Sequence, residues 1–577
     1  MRQPYRPRTR LKGERGYILI MAALLMLPLL AFTGFAVDYG AWYTYANRMQ
    51  RAADAAALAG VVWMPNDEKA ETIALETAKA NGFDDAASDV TVTVTPVGNR
   101  RLRVHIVDTD VPRFFSSLFV SGMDIERQAL SEYVQSVPMG SPDNSLGNDP
   151  ERWAASGYNR PYYWLNVATP KSTKVNGDQY TAGNCNGTYT GCSSSTSTGT
   201  NLNYSEDGYF YRLTVDSRPA SGNLRIQAFD PGFLDVGNTC TQSGSTPHNL
   251  PTAGSTWNAQ AATLVGQGAP ADAATRYVQG NNEWCTADSD QNGTDMVTTY
   301  IVRGPDDTPF DNRDNPVLCT KSFGSYDEAV YPLLNQTDGV KDGIRQPENM
   351  TFVDHFRRWV DLCEINWSSV VVGDYLLQIT STADLSNPPS SLTSFDPTVD
   401  TGGYNKFSLR AGFGSPSSGS FPAGINFFAD GRLPIYVNQA GAGTITNFYL
   451  ARIVPEYAGQ ILELELFDVA DGANASLTIV PPADLTGNAI TGCTFIRDAA
   501  PPTVNVSATC TQTGLTNASY NGRSLTAQIP LPENYGCNAG SDLGCWFRIN
   551  LDFGSGSPTD QTTWSARVRG DPVRLVE

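Results

Sequence analysis

Residues 17–37, YILIMAALLMLPLLAFTGFAV, carry no charge, and at 1.5 Å per helical residue such a run spans roughly 30 Å of hydrocarbon. A folded domain in water has no place on its surface for so long an apolar stretch, so the chain is expected to cross a bilayer as one helix. Arg2, Arg6, Arg8, Arg10, Lys12 and Arg15 precede the run against the single acid Glu14, and that excess of cations holds the N-terminus in the cytoplasm. The expected order is a basic cytoplasmic arm over residues 1–16, a transmembrane helix over 17–37, and an exported remainder. A cleaved secretory signal shares the basic start, but its apolar core is usually about 7–15 residues, shorter than this one. Processing between Gly16 and Tyr17 is the other alternative. The fifth residue beyond that bond is Met21, where prepilin-type processing uses a glutamate, so the anchor is expected to be retained. Pro28 lies mid-span, where a kink is tolerated if neighbours satisfy the freed carbonyl.

Composition adds two constraints. Lys and Arg number 40 against 59 Asp and Glu, a net charge of −19, which excludes a body built to grip nucleic acid. Only 17% of the 577 residues are charged, below the roughly 25% of an average domain. Turn-forming residues take their place, as in extracytoplasmic β structure.

Beyond the span the sequence reads Val37-Asp38-Tyr39-Gly40, and then Met49-Gln50-Arg51-Ala52-Ala53-Asp54-Ala55-Ala56-Ala57-Leu58-Ala59-Gly60. The alanine density means strong helix propensity and a surface thin enough for close helix approach. Asp54 is the one acid in that run, and composition alone reads it as a solvated charge. The order of these segments, with the basic arm, Arg15-Gly16, Gly34-Phe35-Ala36-Val37-Asp38-Tyr39-Gly40 and the later Val111-Pro112-Arg113-Phe114-Phe115-Ser116-Ser117-Leu118-Phe119, resembles the N-terminal region of TadG-like proteins, the TadE/TadG-like components of Flp (Tad) pilus-assembly systems. The resemblance covers residue 10 to about residue 136 and implies a non-catalytic, membrane-anchored assembly component of the bacterial inner membrane, with its bulk in the periplasm or outside. It implies helix packing through Gly34, Asp38, Gln50, Ala52, Ala53, Asp54, Ala55, Ala56, Leu58 and Gly60, with other Tad pilus-assembly membrane proteins or pilin-like helices as partners beside the bilayer itself. Some members of the family carry an Asp-x-Ser-x-Ser metal motif in an added domain. The nearest segment here is Asp143-Asn144-Ser145-Leu146-Gly147, which lacks the last serine.

Residues 38–136 are expected to form a small juxtamembrane α+β domain, with a helix near 68–80 stopped by Gly82 and strands near 89–95, 101–107 and 125–134. Residues 137–150 are rich in Pro, Gly, Ser and Asn and read as a linker. The remainder repeats. Phe210 and Asp230 bracket two alternating strands, as do Phe448 and Asp468 at the same spacing. Strands at 375–379 and 407–410 are echoed at 546–551 and 564–567. The fold class expected is therefore a membrane-anchored chain that is mainly β beyond the platform: two related β-sandwich modules, 151–415 and 420–577, with an insertion at about 238–370 in the first. Chance likeness of short strands is the competing reading.

Ten cysteines, Cys185, Cys192, Cys240, Cys285, Cys319, Cys363, Cys493, Cys510, Cys537 and Cys545, all follow the span and read as disulfide partners in an oxidising compartment. No two are close enough for a zinc C-x-x-C pair. Proximity pairs Cys185 with Cys192, Cys493 with Cys510 and Cys537 with Cys545, leaving four to staple the insertion. Asp288, Asp290, Asn292 and Asp295 alternate like the start of an EF-hand loop, but Thr299 stands where the bidentate glutamate belongs, so a calcium site and a solvated turn both remain open. No other cofactor is expected. Three scattered histidines and the absence of G-x-S-x-G and H-E-x-x-H leave no enzyme constellation. The function expected is structural or adhesive assembly in a pilus system. The alternative is an envelope-anchored module that binds a surface glycan or protein.

Overall fold

The computed structural model describes residues 15–64, 67–97, 101–118, 122–133, 136–152, 160–185, 189–193, 199–233, 284–290, 296–306, 312–324, 352–382, 403–416, 421–422, 424–438, 445–469, 474–554, 559–569 and 573–576. Two compact units divide the chain. One is formed by residues 1–135, 307–311 and 570–577, and the other by residues 136–306 and 312–569.

The first unit is built on α1 (Arg15–Val61), a single helix of 47 residues, about 70 Å long. Among the described residues it is the one helix long and apolar enough to cross a bilayer. Leu19, Ile20, Leu24, Leu25, Leu27 and Phe32 are exposed along its first half, which is the surface a lipid-embedded helix presents. The helix runs through the expected exit point at residue 37 because the alanine-rich continuation favours helix at every position. From there one stripe becomes buried: Asp38, Trp42, Ala46, Met49, Ala52, Ala53, Ala56 and Ala57, spaced by three or four residues as one helix face requires. It packs on α2 (Asp67–Ala80), whose Ala70, Ala74 and Ala78 recur every fourth residue and are buried, and on an antiparallel sheet of β1 (Val90–Val97), β2 (Arg101–Asp108) and β3 (Ile125–Tyr133). Leu102, Val104 and Ile106 alternate along β2 and supply the core beneath the helices.

The second unit begins with β4 (Pro138–Gly140), β5 (Ser145–Leu146), β6 (Tyr163–Ala168), β7 (Asn184–Cys185), β8 (Gly199–Thr200), β9 (Tyr209–Val215) and β10 (Leu224–Phe229). It continues through β11 (Ser289–Asp290), β12 (Val297–Arg303), β13 (Val317–Phe323), helix α3 (Phe352–His355), β14 (Trp359–Ile365), β15 (Gly373–Thr382) and β16 (Gly403–Phe413). Its second half comprises β17 (Asn426–Asp430), β18 (Arg432–Asn438), β19 (Ile445–Arg452), β20 (Ile461–Phe467), β21 (Ala475–Val480), β22 (Cys493–Arg497), β23 (Thr503–Ser507) and β24 (Thr511–Leu515). Helix α4 (Asn517–Tyr520), β25 (Ser524–Pro530), β26 (Trp546–Asp552) and β27 (Thr559–Val568) end it.

These strands form two long sheets, β14-β10-β16-β6-β18-β27-β20-β25-β22-β23 and β13-β12-β15-β9-β17-β4-β19-β26-β21-β24. Rings from the two sheets meet in the core, Tyr163 with Phe448 at 5.5 Å, Phe448 with Trp564 at 5.4 Å and Tyr300 with Phe407 at 5.6 Å. The second order reads the same from both ends once first-half strands are matched to second-half strands, and so does the first as far as β14 and β25, beyond which β22 and β23 extend the second half alone. The matched strands relate the halves by an approximate two-fold axis. The repeat seen in the sequence is thus an architectural one, but its copies are not separate modules divided near residue 415. β6 pairs directly with β18. β4 pairs with β19, and β17 with β9, so each half lends its first strand to the sheet of the other. Residues 137–150 accordingly are no linker: Val137, Met139, Leu146, Asn148 and Asp149 are buried there. Pro, Gly and Ser mark short strands between turns as readily as they mark linkers.

One detail fixes the equivalence of the halves residue by residue. Asp230 and Asp468 end β10 and β20 with φ of 55° and 59°. Asp230 Oδ1 accepts the N–H of Arg357 at 3.0 Å, and Asp468 Oδ1 that of Gly522 at 2.5 Å. Each aspartate N–H donates to the carbonyl of the next residue, Arg358 or Arg523. Both partners, Arg357 and Gly522, also have positive φ, and each follows a one-turn helix, α3 or α4. The offset between halves is 268 residues at Leu165 and Leu433, which face the matched Phe407 and Trp564, 238 at Asp230 and Asp468, and 165 at Arg357 and Gly522. The first half therefore carries 30 extra residues between β6 and β9, and 73 more between β10 and β14.

After β27 the chain returns to the first unit as β28 (Val573–Leu575), the fourth strand of its sheet. Val573 lies opposite Tyr133, antiparallel. Residues 136–569 are thus topologically the loop of a β3–β28 hairpin. Glu132, fully buried, accepts from Arg101 Nε at 3.1 Å and from Arg574 Nε and Nη2 at 3.1 and 2.7 Å. Glu132→Ala leaves two guanidinium groups facing each other across β3 and is expected to destabilise this unit by roughly 2–3 kcal/mol, read as faster amide exchange in residues 573–576.

Asp230 gives the second unit a pH signature. Burial raises its carboxyl from 3.8 to about 6, against the lowering pull of the Arg357 N–H, the Arg357 charge and the Thr286 hydroxyl. The folded value lies above the unfolded one, so this group's contribution to stability is complete below its unfolded pKa and declines as pH rises through about 6. The urea midpoint of the second unit, followed by near-ultraviolet circular dichroism, is expected to contain that decline between pH 4 and 6 and to lose it in Asp230→Asn.

Candidate functional site

The residues that bear the motif meet where the apolar half of α1 gives way to its buried half. Gly34, Asp38 and Trp42 are spaced four apart and face one loop, residues 112–116. A Cβ added to Gly34 would stand 2.9 Å from the Phe115 Cβ, so only glycine admits the loop this close. Asp38, fully buried, accepts the N–H of Phe114 at Oδ1 (3.1 Å) and the N–H groups of Phe115 and Ser116 at Oδ2 (2.9 and 2.5 Å). Three backbone donors on one carboxylate are charge-assisted bonds, the stronger kind. Trp42 Nε1 donates to the Pro112 carbonyl at 3.2 Å. One turn further, the Tyr45 hydroxyl donates to Asp108 Oδ2, and Arg113 pairs with Asp110 at 2.8 Å. The loop is therefore fastened along three turns of a helix that continues into the apolar span.

Fastening the loop exposes its aromatics. Phe114 and Phe115, with Phe35, Tyr39 and Tyr43 on the helix, are all more than half exposed. Aromatic rings at the end of an apolar span are the usual furnishing of a membrane–water boundary. The site thus positions and anchors. Asp38 has its oxygens filled by main-chain donors and is not arranged for proton transfer.

The remaining motif residues serve the inside of this unit. Ala52, Ala53 and Ala56 are buried in the core that contains Ala70 and Ala74, and a Cβ on Gly60 would lie 2.7 Å from the Ala70 carbonyl oxygen and 2.5 Å from Leu102 Cδ2. The thin face expected to receive helices of other proteins is thus filled by α2 and β2 of the same chain. Ala55 and Leu58 are half-buried. Asp54, also half-buried, accepts from Gln50 Nε2 at 2.8 Å, and the same amide reaches the Gln128 carbonyl at 3.0 Å. Asp54 is therefore engaged by a neighbour one turn back, which orients Gln50 toward β3.

Cys185 is bonded to Cys192, Cys319 to Cys363, Cys493 to Cys510 and Cys537 to Cys545. Cys319 is on β13 and Cys363 on β14, the terminal strands of the two long sheets, so their bond clasps the end of the sandwich. Cys285 is also disulfide-bonded, and Cys240 lies outside the described residues. Of the calcium candidates, Asn292 and Asp295 lie outside the described residues. Asp288 is buried and accepts the N–H of Lys406 at 2.8 Å, and Asp290 belongs to β11, opposite Gly403. Among the described residues no three His, Cys, Asp or Glu side chains are grouped to hold a metal.

A long anchored helix whose exposed first half crosses a bilayer, and whose second half is buried in a small α+β platform, defines a single-pass membrane protein with a large β-rich body. Residues 16–63 match the family model described as putative Flp pilus-assembly TadE/G-like, so the N-terminal region of this chain is TadE/G-like. The matched stretch is nearly coextensive with α1. The 111–119 segment lies beyond it, although that segment is what Gly34 and Asp38 hold. The chain matches no curated protein and no solved structure. Trp42 went unread in the sequence, yet the spacing of Gly34, Asp38 and Trp42 by fours is a signal for one helix face.

Asp38→Ala removes three charge-assisted bonds and is expected to release the loop at a cost on the order of 3 kcal/mol. Hydrogen exchange in lipid nanodiscs is the measurement: amides of 114–116 should lose protection while β6 and β18 stay unchanged. Gly34→Leu should produce the same pattern by crowding Phe115.

Proposed function

We propose that the protein is a membrane-anchored accessory component of a Flp/Tad pilus-assembly system, seated in the bacterial inner membrane with its N-terminus in the cytoplasm and its β-rich body exported. The observation that carries this reading is the TadE/G-like helix itself, which serves as both anchor and spine of the platform. The basic arm before it supports the orientation, and the disulfide-bonded body supports export to an oxidising compartment. Contacts with other components of the system run through the exposed faces of α1 and through the body, since the alanine face is occupied within the chain. The body is assigned a structural or adhesive role, with a glycan or protein as its partner in the adhesive case, and no reaction is assigned to it.

The hairpin topology supplies a clean test. Joining Tyr133 to Val573 through an Asn-Gly turn removes the body while keeping β28 paired to β3. In cells carrying only this short form, loss of surface pili is the expected result and supports an assembly role. Normal pili with failed attachment would move the function to adhesion by the body.

A further inference from the structure

The 30 residues that the first half holds in excess between β6 and β9 surround a lysine in an unusual setting. Lys174 is fully buried. Its Nζ donates to the Thr190 carbonyl at 2.7 Å and to the carboxamide oxygen of Asn203 at 2.6 Å, and it stands 5.1 Å from the centre of the Phe467 ring. Gly191, with φ of 68°, presses against this pair. A Cβ there would lie 2.9 Å from Nζ and 2.0 Å from Asn203 Oδ1, so only glycine leaves lysine and asparagine in contact. Asn203 is held from behind, its N–H donating to Asn201 Oδ1 at 2.9 Å, while Asn201 Nδ2 donates to the carbonyls of Gln179 and Ala182 at 2.8 and 2.7 Å. The Cys185–Cys192 bond closes the loop that carries Thr190 and Gly191.

We propose that Lys174 and Asn203 become joined by an intramolecular isopeptide bond. The neutral amine attacks Asn203 Cγ. The Nζ–Cγ bond forms, the Cγ–Nδ2 bond breaks, a proton passes from Nζ to the departing nitrogen, and ammonia leaves. No oxidant, metal or cofactor enters. Contact distance and fixed orientation supply the effective concentration that makes such an intramolecular step feasible. Burial lowers the lysine to about 8, partly offset by the charges of Glu465, Asp178 and Asp498, so a useful fraction is the nucleophilic free amine. Glu465 heads those charges and is held by Gln179 Nε2 at 2.9 Å and Ser524 Oγ at 2.6 Å. It is the group we assign to carry the proton from the attacking to the leaving nitrogen. The product is a covalent tie across 29 positions of chain that reducing agents leave intact.

The test is peptide mapping of the full-length protein after reduction and alkylation. Trypsin is expected to leave the chain uncut at Lys174 and to release residues 172–212 as one peptide, lighter than its sequence by one ammonia. Chymotrypsin should then convert it into a branched pair carrying Lys174 and Asn203. In Glu465→Gln the peptide cut at Lys174 should appear, with the uncut one reduced. Quantitative cleavage at Lys174 in the unsubstituted protein, with residues 175–212 at full mass or with a deamidated Asn203, overturns the proposal. Because the reading comes from the unsubstituted protein, a variant that fails to fold does not obscure it.

Discussion

The pairing of Val573 with Tyr133 decides what kind of object this protein is. Without β28 the β-rich body would be joined to the platform by one strand. With it, both ends of the body enter the same sheet side by side, and 434 residues, 136 to 569, occupy the place of a turn. A pull on the body is then shared by two adjacent strands and resisted across the sheet by the hydrogen bonds to β2. Glu132 matters because it sits between the two strands' neighbours, with Arg101 on one side and Arg574 on the other. That position is fully buried, where a carboxylate has to be compensated, and both guanidinium groups contribute to this.

The body solves a related problem by duplication. A β-sandwich leaves edges, and unpaired edges invite association with other chains. Setting two copies edge to edge through β6 and β18 removes one edge from each copy in one sheet. Exchanging first strands, β4 for β17, does the same in the other. The exchange also makes the halves interdependent, since neither completes its second sheet alone. The aspartates at Asp230 and Asp468 show how faithfully the copies keep their geometry. Each holds a positive φ and engages a crossing segment by the same two hydrogen bonds, although one crossing residue is arginine and the other glycine.

Much of this was legible in the sequence because it rests on long or periodic signals. The apolar span, the alanine helix and the alternating strands bury or expose whole faces, and the repeat appeared as equal spacing from Phe210 to Asp230 and from Phe448 to Asp468. The illegible parts depend on short segments whose partners are distant. β4 has three residues and β28 has three, too few for a period-2 pattern, and their pairing partners lie hundreds of positions away. The segment 137–150 misled for the same reason: its proline and glycines specify turns flanking short buried strands. The role of Asp38 was hidden differently. Its position in the motif was plain, but its partners are backbone amides, which leave no side-chain signature in a sequence.

Asp38 also explains why the motif straddles the membrane boundary. A helix leaving a bilayer is free to swivel and tilt relative to whatever follows it, unless something at the exit fixes it to the folded domain. Here the fixing is done within the last apolar turns: Gly34 admits the loop, Asp38 takes its amides, and Trp42 takes its carbonyl. The same contacts turn Phe114 and Phe115 outward beside Phe35 and Tyr39, at the depth where aromatic rings are most comfortable. The loop is thereby bound to the helix by polar contacts, with its aromatic rings left exposed beside those of the helix. Because α1 is continuous from Arg15 to Val61, its apolar half and the half buried in the platform are one helix, and the loop contacts fix that helix to the sheet of its own unit.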